Sequence, residues 1–195
     1  DGVNCNVIGY YLIVALGIFF MELPKPTIFP DIKIIIIIFS LFYLINLFQK
    51  SFLGDNGVYV ITVFMGVYVI NFINLNTSAS PLLALNLLWY PAFENLFSII
   101  RRLNNNRTVD TADGLHLHTL LLKKIFYLNK NFFVSNSLTG IILNLFMAVG
   151  IFLSINYYND AKILIFILMV NIVIYVLFYF TFLSRKPKFK SHQYD

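Results

Sequence analysis

Six long apolar runs separated by short polar segments leave this chain few folds. The runs are Val7–Met21, Ile32–Phe48, Val58–Ile73, Pro81–Ile100, Ser135–Ile155 and Lys162–Leu183. A helix that crosses the hydrocarbon core of a bilayer needs about 20 mostly apolar residues. Inside lipid the backbone must satisfy its own hydrogen bonds, so such runs are helices rather than isolated strands. Ile34–Ile38 would read as a buried strand in a soluble protein; here it reads as lipid-facing helix. The expectation is all-α: a polytopic transmembrane helical bundle of about six spans, one domain over residues 1–195. Charged residues make up 12% of the chain, about half the share of a soluble domain. The single cysteine, Cys5, excludes an internal disulfide and a cysteine-based zinc site. No secretory signal peptide is visible, and the start Asp-Gly-Val-Asn-Cys reads as a fragment of a longer chain.

The net charge of +5 is not a nucleic-acid footprint, because the basic residues flank the spans. Six spans give seven flanks that alternate in side. One set comprises residues 1–6, 49–57, 101–134 and 184–195 and holds eleven of the fourteen Lys/Arg. The other set, with the adjoining helix ends, holds three: Lys25, Lys33 and Lys162. Cytoplasmic flanks carry the excess of Lys and Arg, so the first set, including the basic tail, is expected in the cytoplasm.

The unusual polar residues fall in that same set. Residues 101–131 hold six of the fourteen Lys/Arg and two of the three His. Asp1 and Asn4, Asp55 and Asn56, and His116 and His118 form three separated polar clusters on one side, which suggests one assembled site. Each also has a plainer reading. Asp55, between Gly54 and Gly57, suits a helix N-cap. It equally suits a Mg²⁺ ligand, since that ion takes one or two carboxylates plus phosphates and water. His116 and His118 share a face only in an extended segment. They read as solvated loop residues, a metal pair, or contacts to phosphate or sugar. Arg101, Arg102 and Arg107 suit bidentate phosphate binding, and also plain topology anchors, as Lys123 and Lys124 do. Glu94 lies inside the fourth run, where an ionisable group is a functional candidate or a partner for Arg101 or Arg102.

At this point the motifs resemble a known family. Phe52-Leu53-Gly54-Asp55-Asn56-Gly57 resembles the FLGDxG motif of the polyprenyl-phosphate N-acetylhexosamine-1-phosphate transferases (glycosyltransferase family 4), as in bacterial undecaprenyl-phosphate GlcNAc-1-phosphate transferases. Asp1-Gly2-Val3-Asn4 looks like the start of the family's DGxNG motif. Tyr90-Pro91-Ala92-Phe93-Glu94 followed by Arg101-Arg102 resembles its YPxFE…RR segment, and Asp113-Gly114-Leu115-His116-Leu117-His118 its HxHH loop. The resemblance implies the C-terminal half of a bundle of about ten to eleven spans in the bacterial inner membrane. It implies a polyprenyl phosphate that attacks the β-phosphate of a UDP-sugar and releases UMP, for cell-envelope polysaccharide synthesis. The HLH and FLGD forms look more like the GlcNAc branch. By motif match, Asp55 would bind Mg²⁺ (Mn²⁺ as a substitute) and Phe52 would lie near the uracil. Asp1 and Asn4 would line the nucleotide pocket, and His116 and His118 with a nearby Arg would hold the diphosphate or sugar. Partners are then a UDP-sugar, undecaprenyl phosphate and membrane lipid, with no nucleic acid; a homodimer is compatible. Three departures stand out: Cys5 replaces the family's usual Gly, Thr119 replaces a further His, and the paired-Asp motif DDxxD is absent. Its absence predicts that these 195 residues alone do not catalyse. The competing classes are a transporter fragment, expected to carry mid-membrane charges and repeats, and a non-catalytic membrane scaffold.

Overall fold

The computed structural model describes residues 2–27, 30–104 and 114–184, and these form seven α-helices and no strand. In chain order they are α1 (Asn6–Phe20), α2 (Ile32–Leu47), α3 (Gly54–Leu75), α4 (Leu82–Asn104), α5 (Leu117–Asn129), α6 (Phe132–Asn156) and α7 (Ala161–Ser184). The six apolar runs thus appear as α1–α4, α6 and α7. Four helices, α3, α4, α6 and α7, are long and apolar enough to cross a membrane. α1 and α2, at 15 and 16 residues, are about 22–24 Å long, less than the roughly 30 Å of a hydrocarbon core.

Hydrogen bonds between loops show how the helices alternate. At one pole the Asn4 amide donates to Asn136 Oδ1 (2.9 Å) and the Ser137 hydroxyl to the Leu47 carbonyl (2.8 Å). The Cys5 amide donates there to Asn46 Oδ1. These bonds join the start of α1, the end of α2 and the start of α6. At the other pole Asn76 Nδ2 donates to the Pro24 carbonyl (2.9 Å) and the Ser80 amide to the Tyr158 carbonyl (2.9 Å). So α1, α3 and α6 run one way, and α2, α4 and α7 the other.

In lipid, helices gain little from excluding water from one another; packing and interhelical hydrogen bonds hold them together. Both are visible here. α1 is the central helix, buried on most sides and set against α2 and α6. Its start lies so close to α6 that a Cβ on Gly140 would come within 2.0 Å of the Asn4 carbonyl oxygen. Asn144 Nδ2 donates to the Cys5 carbonyl (2.8 Å) across the same seam. Between α1 and α4 the bond has a local cause. Pro91, inside α4, has no amide hydrogen, so the Leu87 carbonyl lacks its helical donor. The Tyr10 hydroxyl supplies one at 2.8 Å. The opposite face of α2 is exposed along Ile34, Ile37, Ile38, Leu41 and Ile45, as expected for a lipid-facing run.

α5 departs from the expectation of a loop over 101–134. Leu117, Leu120, Leu121 and Ile125 recur at helical spacing and are buried, with α5 packed on α6 and α7. Lys123 and Lys124 are therefore residues of α5 and not of a loop. Lys123 Nζ donates to the Gly114 carbonyl (3.2 Å), and Lys124 Nζ lies 4.7 Å from the Phe182 ring centre.

Candidate functional site

The site grows from the last turns of α4, which run toward the pole where α5 begins. Glu94 lies three residues after Pro91 and is only 8% exposed. A buried carboxylate needs donors, and α5 provides them. His116 Nδ1 lies 3.2 Å from Glu94 Oε1, and the Leu117 amide donates to the same oxygen at 3.0 Å. The His118 Nδ1 lies 3.9 Å from it. Leu117 opens α5, and its amide is one of the donors that a helix cannot satisfy internally. His116, the residue before it, offers no side-chain cap. Glu94 therefore caps α5 from a different helix, with its carboxylate at the positive end of the helix dipole.

His116 keeps an extended backbone (φ −69°, ψ 152°) while His118 is helical. That change of backbone brings two side chains two residues apart to one side, and their rings stack with centres 5.2 Å apart and planes 11° apart. Burial pushes the His118 ring down to about 4, against the opposing pull of Glu94, so it is neutral at pH 7. The other carboxylate oxygen, Glu94 Oε2, is buried, and the hydroxyls of Tyr90 and Tyr175 are directed at the same carboxylate.

Arg101 fastens the segment before α5. Its Nη1 donates to the Leu115 carbonyl (2.9 Å) and to the Tyr179 hydroxyl (3.2 Å), and Nη2 to the Ser98 hydroxyl (3.1 Å). Its guanidinium carbon also lies 5.5 Å from the centre of the Tyr179 ring. Arg102 follows it, half-buried. The sequence offered Arg101 or Arg102 as the partner of Glu94; the carboxylate's hydrogen bonds go to His116 and Leu117.

The other expected site residues are more scattered. Asn4 is buried at the α1–α6 junction, and its side-chain Nδ2 has no hydrogen-bond partner among the described residues. Asp55 is exposed in the first turn of α3, and the N-cap position belongs to Leu53, so Asp55 meets the helix dipole without being the capping residue. Gly54 before it has φ +64° and open space where a Cβ would stand. Phe52 is 69% exposed. Asp1, Arg107 and the basic tail from residue 185 lie outside the described residues. Among the described residues no group of three or more His, Cys, Asp or Glu could hold a metal ion. Residues that sequence reasoning missed include Asn136, which fixes the Asn4 turn, and Tyr179, which receives Arg101. Neither stands in a recognisable motif.

No protein-family model matches the chain, and neither a curated protein nor a solved structure matches it.

Proposed function

We propose that this chain belongs to a membrane transferase that moves a sugar-1-phosphate, GlcNAc-1-phosphate first, from a UDP-sugar to undecaprenyl phosphate. A phosphate oxygen of the lipid attacks the β-phosphorus, the bond to the bridging oxygen breaks, and UMP leaves. The observation that carries the reading is the joint between Glu94 and the His116–Leu117 segment, 22 and 23 residues away in sequence. It makes one unit of two segments that resemble separate motifs of one enzyme family. The unit shares a pole with the Asn4 turn and the 49–55 segment.

Asp55 would hold Mg²⁺ through a single carboxylate. This fits an ion that takes its remaining ligands from phosphates and water, and not a closed protein cage. Such an ion, when bound, neutralises the charge of the diphosphate. The basic groups of 101–107 suit the anionic substrate. Because a paired-Asp element is absent from these residues, the activity is proposed for the full-length protein in its membrane.

The test is UMP release from UDP-GlcNAc and undecaprenyl phosphate by membranes that carry the full-length protein. Asp55→Asn should lower the rate by about a hundredfold or more, the scale of losing one electrostatic contact to the reacting centre, with the protein still inserted. A variant as active as the parent would sink the proposal and favour a scaffold.

A further inference from the structure

Glu94 Oε1 has two partners within hydrogen-bond distance, and their chemistry fixes the state of one of them. The Leu117 amide can only donate, so the oxygen accepts from it at 3.0 Å. An ionised carboxylate has no proton to give, so the contact to His116 at 3.2 Å requires the proton on Nδ1. In the neutral ring Nε2 then carries the lone pair. The ring is not sealed: the His116 side chain keeps 23% of its surface, against 9% for Glu94. We propose that Glu94 is a positioning residue that locks His116 as the Nδ1–H tautomer, leaving Nε2 as an acceptor for a hydroxyl of the bound nucleotide-sugar.

This rests on the transferase reading and changes one part of it. The sequence suggested both histidines as donors to the diphosphate or the sugar. His118 is buried and neutral, and a neutral His116 held this way has spent its N–H on Glu94. His116 then brings a hydrogen-bond acceptor, and the charge of the diphosphate falls to arginine and the metal. The same carboxylate pins the first amide of α5, so ring orientation and helix start are set together.

The test has two arms. In the first, the full-length protein carrying ¹⁵N-histidine is placed in nanodiscs at pH 8 and its imidazole nitrogens are read by NMR. His116 is assigned by its loss in His116→Gln. The expected spectrum shows Nδ1 protonated and Nε2 bare, unchanged in Glu94→Gln, which keeps an acceptor oxygen. In Glu94→Leu the proton should shift toward Nε2. An Nε2–H tautomer in the parent overturns the proposal whether or not the leucine variant folds. In the second arm, Glu94→Ala and His116→Ala should each lower kcat by about tenfold or more, with KM within about threefold. The double variant should be no slower than the slower single, as expected for residues that act as one unit. Multiplying losses would mean that Glu94 acts independently of His116, which also overturns the proposal. A parent protein that releases no UMP removes the transferase reading, and the first arm still decides the tautomer.

Discussion

Cys5 sits at φ 62°, ψ −2° just before α1, a left-handed backbone that costs a residue with a Cβ roughly 1–2 kcal/mol. The resemblance leads one to expect Gly here, and the backbone is one that Gly adopts without strain. The thiol stays because it is buried, 1% exposed, with Sγ 3.5 Å from the Tyr43 carbonyl. Replacing it with Gly loses that contact and relieves the strain; replacing it with Ala loses the contact and keeps the strain. Cys5→Gly should therefore be the more stable variant by about 1 kcal/mol. Thermal unfolding in detergent checks this, and a more stable alanine variant would show that the turn is not left-handed. Burial also pushes the thiol up to about 12, so alkylation at pH 8 should be slow in the folded protein and fast in denaturant. His118 gives a second prediction at this scale. Its folded value of about 4 lies below the ordinary 6.5, so between those values the unfolded chain binds more protons. Stability is then complete above pH 6.5 and falls as pH drops toward 4. Glu94 at 3.9 Å and the stacked His116 face the same ring. Melting temperatures across this window should slope for the parent and flatten in His118→Gln; parallel curves would assign the slope to another group.

Among the elements, the joint between α5 and α6 is where local chemistry is easiest to test. Lys130 closes α5 in a left-handed conformation at φ 55°, a position that favours Gly. The next residue, Asn131, caps α6 by accepting from the Val134 amide at 3.2 Å. Lys130→Gly should add up to about 1 kcal/mol, and Asn131→Ala should remove about 1 kcal/mol. Unfolding by denaturant in micelles reads both; equal stability of the two variants would mean that the joint does not limit unfolding. The sequence showed the six apolar helices, four of them of spanning length, because apolar length is a coarse signal that survives errors of a few residues at each end. It concealed α5 for a reason that can be named. Leu117, Leu120, Leu121 and Ile125 have helical spacing, but two lysines and a run of polar residues upstream made the segment read as loop. The Glu94 joint was not legible either. Its energetics depend on a contact between α4 and the start of α5, and a carboxylate near two arginines reads first as their partner. The motif residues themselves were visible, and what they touch was not.

For the molecule as a whole, the alternation inferred from charge is matched by the bonds at the two poles. The described parts of the basic flanks, with Lys50, Arg101, Arg102, Lys123, Lys124 and Lys130, gather where Cys5 meets Asn46 and Glu94 meets His116. The poorer flanks gather where Asn76 meets Pro24 and Ser80 meets Tyr158. Geometry alone fixes only that these are opposite poles; the positive-inside rule supplies the direction. Cysteine labelling can therefore test the direction without any assumption about catalysis. Asn129 at the end of α5 and Asn159 between α6 and α7 are both exposed and belong to opposite poles. The native thiol, Cys5, is buried and held well above the ordinary range, so it adds little background. In intact spheroplasts, an impermeant maleimide should label Asn159→Cys at once and Asn129→Cys only after the membrane is opened. The reverse pattern would place the His pole outside the cell, away from nucleotide-sugars, and the transferase reading would fall with it. Labelling of both sites in intact spheroplasts would mean that the chain does not cross the membrane between them, so that α6 would lie along the bilayer instead of through it.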